Sequence, residues 1–243
     1  MIGVEEVTKA FKTTVAVNQL SFSIGKGEVV GLLGENGAGK TTTLRLIAAV
    51  MKPTSGRISV AGFDTVKQAR EVKKRVGILF GEETGLYDRL TARENIAYFA
   101  QLYGLSELET EQRITRLADI FDMHDYLDRR VGGFSKGMCQ KVAIARSIIH
   151  DPDVILFDEP TSGLDIIAAN DMRGLIRHFS EQGKTVVFSS HIMSEVQKLC
   201  QRVLILHKGT LRFDGTLEAL YTAHGHDDLD RIFLAEVGRD RHV

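Results

Sequence analysis

The sequence is short of several things, and each shortage narrows the reading. No apolar run approaches the roughly 20 residues that a helix needs to cross a bilayer. Charge of one sign is not in surplus either. Lys and Arg number 31 against 32 Asp and Glu, for a formal net charge of −1. A basic excess pointing to nucleic acid is therefore missing. The opening MIGVEEVTKAFK has no apolar stretch of the secretory kind, so the expectation is a cytoplasmic chain. Cysteine is scarce. Cys139 and Cys200 lie far apart and form no CxxC pair, which predicts two reduced, structural thiols in a reducing compartment. There is no internal repeat, and the scattered tail histidines, His242 included, read as solvated rather than as metal ligands.

What is present fits an ordinary globular chain. With 243 residues, 43% of them hydrophobic and 26% charged, it can hold one large domain or two small ones. The first thirty residues read as short strands, IGVEEVT, LSFSI and EVVGLLG. KTTTLRLIAAVM follows with Leu44, Ile47 and Ala48 at helical spacing, then Pro53 and Gly56 break the pattern and RISVAG returns to strand. After RVGILF, at 75 to 80, residues 91 to 150 turn mostly helical. The first of these helices opens with Thr91 and Glu94 at capping-box spacing. Strands and helices then alternate through VILFDEP, TVVFSSH, RVLILHKG and TLRFDG, and the tail from 223 predicts one amphipathic helix and a frayed end. VVGLL, VILF and TVVFS are apolar throughout, as strands buried on both faces of a parallel sheet are. The expectation is an α/β core with a helical insertion at roughly 85 to 150.

Two stretches carry chemistry. GENGAGKT, residues 34 to 41, fits G-x-x-x-x-G-K-[ST] between a buried strand and a helix. Its glycines let backbone N–H groups curl around phosphate oxygens, and the helix start adds positive potential. Lys40 is placed to reach the β- and γ-phosphates, and Thr41 offers a hydroxyl to Mg²⁺. VILFDEP delivers Asp158 to a strand's C-terminal end, where it can hold Mg²⁺ through water. Glu159, expected on the other side of the strand's end, suits a general base for water attacking a γ-phosphate. His191 ends the strand TVVFSSH, either as a structural histidine or as a hydrogen-bonding sensor of the γ-phosphate. A third stretch, GGFSKGMCQ, has the texture of another phosphate loop without a lysine of the first kind.

In order and spacing, residues 2 to 220 resemble the ATP-binding subunit of an ABC transporter. GENGAGKTT resembles its Walker A loop, VILFDEP its Walker B strand and FSKGM its signature motif. SGLD, at 162 to 165, resembles the D-loop, His191 the switch histidine and Phe11 the aromatic that stacks on adenine. The resemblance implies a P-loop NTPase α/β fold: a parallel sheet core with an N-terminal antiparallel β subdomain and a helical insertion. It divides the chain into a core of 1 to 84 with 151 to 220, a helical subdomain of 85 to 150, and a C-terminal helix and tail of 221 to 243. ATP and Mg²⁺ are the implied cofactors. The implied ATP contacts are Phe11, Gly34, Glu35, Asn36, Gly37, Ala38, Gly39, Lys40, Thr41, Thr42 and Asp165, with Ser135, Lys136, Gly137 and Met138 reaching the nucleotide of a second subunit.

The sequence departs from the family pattern in places. Lys136 and Met138 stand where the signature has Gly and Gln, and Lys136 reads either as extra charge near phosphate or as a solvated lysine. Glu35 replaces a frequent Pro. The segment GEETG has no Q-loop glutamine, and Glu82 is its closest counterpart, a hard oxygen donor that can ligate Mg²⁺. Within the family the chain looks closest to the exporter branch and to its sodium-extrusion ATP-binding subunits. Implied partners are an integral membrane permease and a second ATPase subunit, identical or homologous, with no nucleic acid. The implied place is the inner face of the cell membrane and the implied cargo a sodium ion or a drug. The alternative is an ABC ATPase acting on ribosomes or DNA. Such proteins usually pair two domains in one chain or carry a long coiled coil, and this sequence has neither.

Overall fold

The computed structural model describes residues 1–80 and 85–238. Two sheets organise it. A four-stranded antiparallel sheet runs in the order β2 (Thr14–Ile24), β1 (Ile2–Phe11), β4 (Ser55–Val60), β5 (Phe63–Asp64). A six-stranded sheet runs β10 (Thr210–Thr216), β9 (Arg202–His207), β3 (Val29–Leu33), β8 (Thr185–Ser190), β7 (Val154–Asp158), β6 (Val76–Leu79). Its pairs from β9 to β6 are parallel, and β10 closes one edge antiparallel. β7 and β8 are buried at every residue, as their apolar runs predict.

Alternation along those strands sorts the core into two layers. Val154, Leu156, Val187, Leu204 and Leu206 face the antiparallel sheet and α1 (Lys40–Ile47). Ile155, Phe157, Val186, Phe188, Val203 and Ile205 face the other way. On that side they share one apolar cluster with α3 (Ala92–Leu102), α4 (Glu107–Phe121), α5 (Lys136–Ile148), α6 (Ile166–Glu181) and α7 (Met193–Leu199). The helical insertion is thus packed onto the sheet's own core. A short helix, α2 (Ala69–Lys73), precedes β6.

Local rules explain most boundaries. Thr91 and Glu94 form the capping box that starts α3, with Glu94 N donating to Thr91 Oγ1 at 3.1 Å and Thr91 N to Glu94 Oε2 at 2.7 Å. α1 stops at Ile47, short of the apolar spacing through Met51, because Ala49 takes a left-handed conformation, φ 54°. The tail holds the single amphipathic helix read from sequence, and a further helix precedes it. α8 (Leu217–His224) follows β10 directly, capped by Thr216 and ended by Gly225 at φ 73°, and α9 (Leu229–Glu236) is the amphipathic helix. The Gly225 stop splits the segment. No helix among the described residues is long and apolar enough to cross a membrane.

Candidate active site

The loop between β3 and α1 is shaped by its glycines. Ala38 N donates to Glu35 O at 3.0 Å and closes the curl. A Cβ on Gly34 would lie 2.7 Å from Leu206 O, and one on Gly39, at φ 103°, 2.6 Å from Ala16 O, so the loop's back is pressed against β9 and β2. Gly209 N also donates to Ala38 O at 3.0 Å. Gly37, at φ 82°, has nothing within 4 Å of its Cβ position, which identifies the open side. α1 starts there with no side-chain cap and no acidic residue in its first turn. Its first N–H groups lack helical partners and favour an anion. Thr41 and Thr42 are half-buried on that turn, and Asn36 is exposed at the loop's tip.

Lys40 is buried, and its ammonium donates to Gly34 O at 2.7 Å and to Glu35 O at 3.3 Å. It also stands 3.2 Å from Glu159 Oε1. Strand alternation places Glu159 opposite Asp158, away from the loop. The structure turns it back, because Glu159 has φ 51°, a left-handed conformation that ends β7. Glu159 Oε2 in turn lies 2.7 Å from His191 Nδ1. Three residues from separate elements, Lys40, Glu159 and His191, therefore meet at the C-terminal ends of the parallel strands. Ligands of open α/β sheets bind at those ends.

Asp158 sits beside them, paired in register with Ser189 of β8. Ser189 Oγ donates to Asp158 Oδ1 at 2.6 Å and accepts from Glu159 N at 2.9 Å. Sequence reasoning missed Ser189. The signal available was a buried strand ending in two serines next to the strand that carries the carboxylates. The donor set suits a hard divalent cation, since the Thr41 hydroxyl and the Asp158 carboxylate are oxygen donors of the type Mg²⁺ takes.

The stretch 132 to 140, expected to be a second phosphate loop, leads into a helix start. Ser135 is the N-cap of α5 and accepts from Met138 N at 3.2 Å; Lys136, Gly137 and Met138 form the first turn. Asp165 caps α6 in the same way, accepting from Ala168 N at 2.8 Å. The two starts touch, as a Cβ on Gly137 would lie 3.3 Å from that of Ala168. Phe11 ends β1 with 43% of its surface exposed and Lys9 Nζ 5.1 Å from its ring centroid. Glu35 Oε2 lies 3.9 Å from the buried His207 Nδ1. Glu82, the remaining candidate, falls outside the described residues.

A loop of backbone N–H groups backed by one buried lysine, at the C-terminal end of an interior strand of a parallel sheet, makes this chain a P-loop ATPase in class. The family model described as "ABC transporter" matches residues 17–162, and the chain belongs to that family. It is 55% identical to the ABC transporter ATP-binding protein NatA of Bacillus subtilis (strain 168), over 98% of this chain and 99% of that one. The bacitracin transport ATP-binding protein BcrA of Bacillus licheniformis is 38% identical, over 87% of this chain and 68% of its own. A solved ATP-binding subunit of an ABC transporter superposes with a TM-score of 0.87 at 30% identity, covering 97% of this chain and 99% of its own. A dimeric ATP-binding cassette in a post-hydrolysis state with ADP and Pi gives a TM-score of 0.81 at 27% identity, over 89% and 98%.

Proposed function

We propose that the chain is the energy-coupling subunit of an exporter, working in a head-to-tail dimer of ATPase subunits on the inner face of the cell membrane, against an integral permease. Residues 1 to 84 with 151 to 220 form the ATPase core, 85 to 150 the helical subdomain with a docking groove for the permease, and 221 to 243 a C-terminal extension. The observation that carries the reading is the meeting of Lys40, Glu159 and His191 beside an uncapped helix start, with a second helix start at Ser135 that has no Walker lysine of its own. A second copy would supply Ser135, Lys136, Gly137, Met138 and Asp165 to the nucleotide held by this copy's residues 34 to 42.

In this reading Lys40 gives up Glu159 for the β- and γ-phosphates of ATP, and Phe11 stacks on adenine. Glu159 accepts a proton from the attacking water as its oxygen bonds to the γ-phosphorus, and ADP leaves with the β–γ bridging oxygen. His191 holds the carboxylate from the other side and reaches the γ-phosphate. Mg²⁺ would be held by Thr41 and Asp158, with Glu82 as a further candidate, and supplies charge neutralisation on the phosphates. The relatives' names support transport, and one of them export: BcrA is a bacitracin transport ATP-binding protein, LnrL a linearmycin resistance ATP-binding protein, and another a Nod factor export ATP-binding protein. The cargo read from the resemblance is a sodium ion or a drug. Affinity capture of the tagged chain from detergent-solubilised membranes tests the reading. A co-purifying polytopic membrane protein is expected, and ribosomes or DNA in its place would favour the non-transport alternative.

A further inference from the structure

We propose that Ser189 is a positioning residue for ATP hydrolysis: one buried hydroxyl fixes the Asp158 carboxylate and the backbone of Glu159 together. The inference rests on the reading of Asp158 as the metal-holding carboxylate and Glu159 as the base. Ser189 is fully buried and stands in register with Asp158 on the neighbouring parallel strand. Its single proton goes to Asp158 Oδ1 at 2.6 Å, and its oxygen receives Glu159 N at 2.9 Å. The two residues it engages are consecutive, and they are the two carboxylates that β7 delivers to the site.

The second contact explains how the base is aimed. Glu159 holds φ 51° without being glycine, a conformation that persists only where neighbours over-determine it. A residue that continues a strand gives its N–H to the neighbouring strand's backbone. Here the N–H goes to a side chain instead, so the backbone is free to turn and the carboxylate reaches Lys40 and His191. The first contact binds one oxygen of Asp158 and leaves the other for a cation or its water. Without the hydroxyl, Asp158 can rotate and Glu159 N loses its partner in a half-buried place. Outer partners of this kind commonly change metal affinity or activity by about 10- to 100-fold when removed.

The test uses the full chain and three substitutions. Ser189→Thr and Ser189→Val have the same volume and differ in the hydroxyl, and Ser189→Ala removes it without adding bulk. The readouts are kcat and KM for phosphate release, the half-saturating concentration of Mn²⁺ followed by its electron spin resonance signal, affinity for a fluorescent ATP analogue in EDTA, and the thermal midpoint. Ser189→Ala and Ser189→Val should lower kcat by about 10-fold or more and raise the Mn²⁺ half-saturation several-fold, in line with lost support of a ligand. Analogue affinity in EDTA should stay within about twofold, since the phosphate loop is untouched, and Ser189→Thr should recover most of both losses. Equal damage in Ser189→Thr and Ser189→Val would overturn the proposal, because packing rather than the hydroxyl would then matter. So would an unchanged kcat and Mn²⁺ dependence in Ser189→Ala, or a fold that survives only with Ser or Thr. Asp158→Asn and Glu159→Gln run alongside separate the two layers. If they keep full hydrolysis, the reading of the carboxylates fails; if they lose it while Ser189→Ala does not, only the role of Ser189 fails.

Discussion

Glu159→Gln is the most informative single perturbation. It keeps the shape of the side chain and one hydrogen-bonding oxygen but removes the base and one negative charge. Losing a positioned base costs about 10² to 10⁴ in rate, or roughly 2.7 to 5.5 kcal/mol of barrier. Binding should move in the opposite direction. In the structure Glu159 Oε1 stands 3.2 Å from Lys40 Nζ, with Glu159 only 22% exposed. At an effective dielectric of about 20 such a pair is worth on the order of 5 kcal/mol before desolvation, which offsets much of it. ATP must displace that contact to claim the lysine. Glutamine is a weaker competitor, so nucleotide affinity should hold or improve by up to about tenfold, which is ~1.4 kcal/mol. Phosphate release and size-exclusion elution, with ATP and without, are the assays. Hydrolysis should collapse while an ATP-dependent dimer accumulates, and adding Ser135→Arg should abolish that dimer. Undiminished hydrolysis would assign water activation to another group, with His191 and Glu82 next in line. A dimer indifferent to Ser135→Arg would refute the composite site.

Three further outcomes follow from particular residues. Lys40→Ala should remove ATP binding almost wholly, because it deletes the one buried ammonium of the loop and leaves Glu159 and the Gly34 and Glu35 carbonyls facing the phosphates; unchanged affinity for a fluorescent ATP analogue would refute the loop assignment. Phe11 offers a half-exposed π face beside Lys9, so GTP should compete with ATP within about tenfold, and Phe11→Ala should weaken both by about 1 to 3 kcal/mol, the usual loss of a base-stacking ring; a thousandfold preference for ATP would mean a hydrogen-bonding base pocket. His150 is half-buried, stacked on Tyr103 at 3.8 Å between ring centroids, with its Nδ1 unpartnered and its Nε2 3.2 Å from Val76 O, and desolvation lowers its pKa to about 4. The unfolded state therefore binds the extra proton between about pH 6.5 and 4, and His150 should remove on the order of 2 to 3 kcal/mol of stability as pH falls through that window; the urea midpoint should fall less on acidification in His150→Phe than in the unsubstituted chain, and parallel pH curves would refute the assignment.

Much of this fold is written in local patterns. The apolar runs of β3, β7 and β8 announce strands buried on both faces, and the structure buries them in one parallel sheet. Thr91 and Glu94 announce the start of α3. The phosphate loop is legible because its spacing is a chemical requirement on the backbone. What stays hidden depends on contacts between strands or on backbone dihedral angles. Nothing in VILFDEP says that Glu159 leaves the strand with φ 51°, so alternation aims it the wrong way. Ser189 reads as one of two serines ending an apolar run until the register with Asp158 is known. The long β1–β2 hairpin is likewise invisible over residues 14 to 19, where alternation is interrupted by irregular pairing and by left-handed backbone at Gln19.

The same contacts tie the two proposed phosphate-binding regions to one another. The segment that carries Glu159, the proposed base, does not end there. The carbonyl of the next residue, Pro160, accepts a hydrogen bond from Gln140 Nε2, a buried side chain one turn inside the helix that Ser135 caps. That helix is joined to α6 by Lys141 and Asp171, 3.0 Å apart, and by the close approach of Gly137 to Ala168. Asp165 caps α6 at the same end. The strand end with Glu159, the helix start with Ser135 and the helix start with Asp165 are therefore tied to one another by a hydrogen bond, an ion pair and a packing contact. Packed elements of this kind shift as units rather than bend smoothly. In the proposed dimer, a partner's γ-phosphate seated at Ser135 would bear on the loop that aims this copy's own Glu159. Each subunit would then meet its partner's nucleotide through the same rigid piece that sets its own catalytic base.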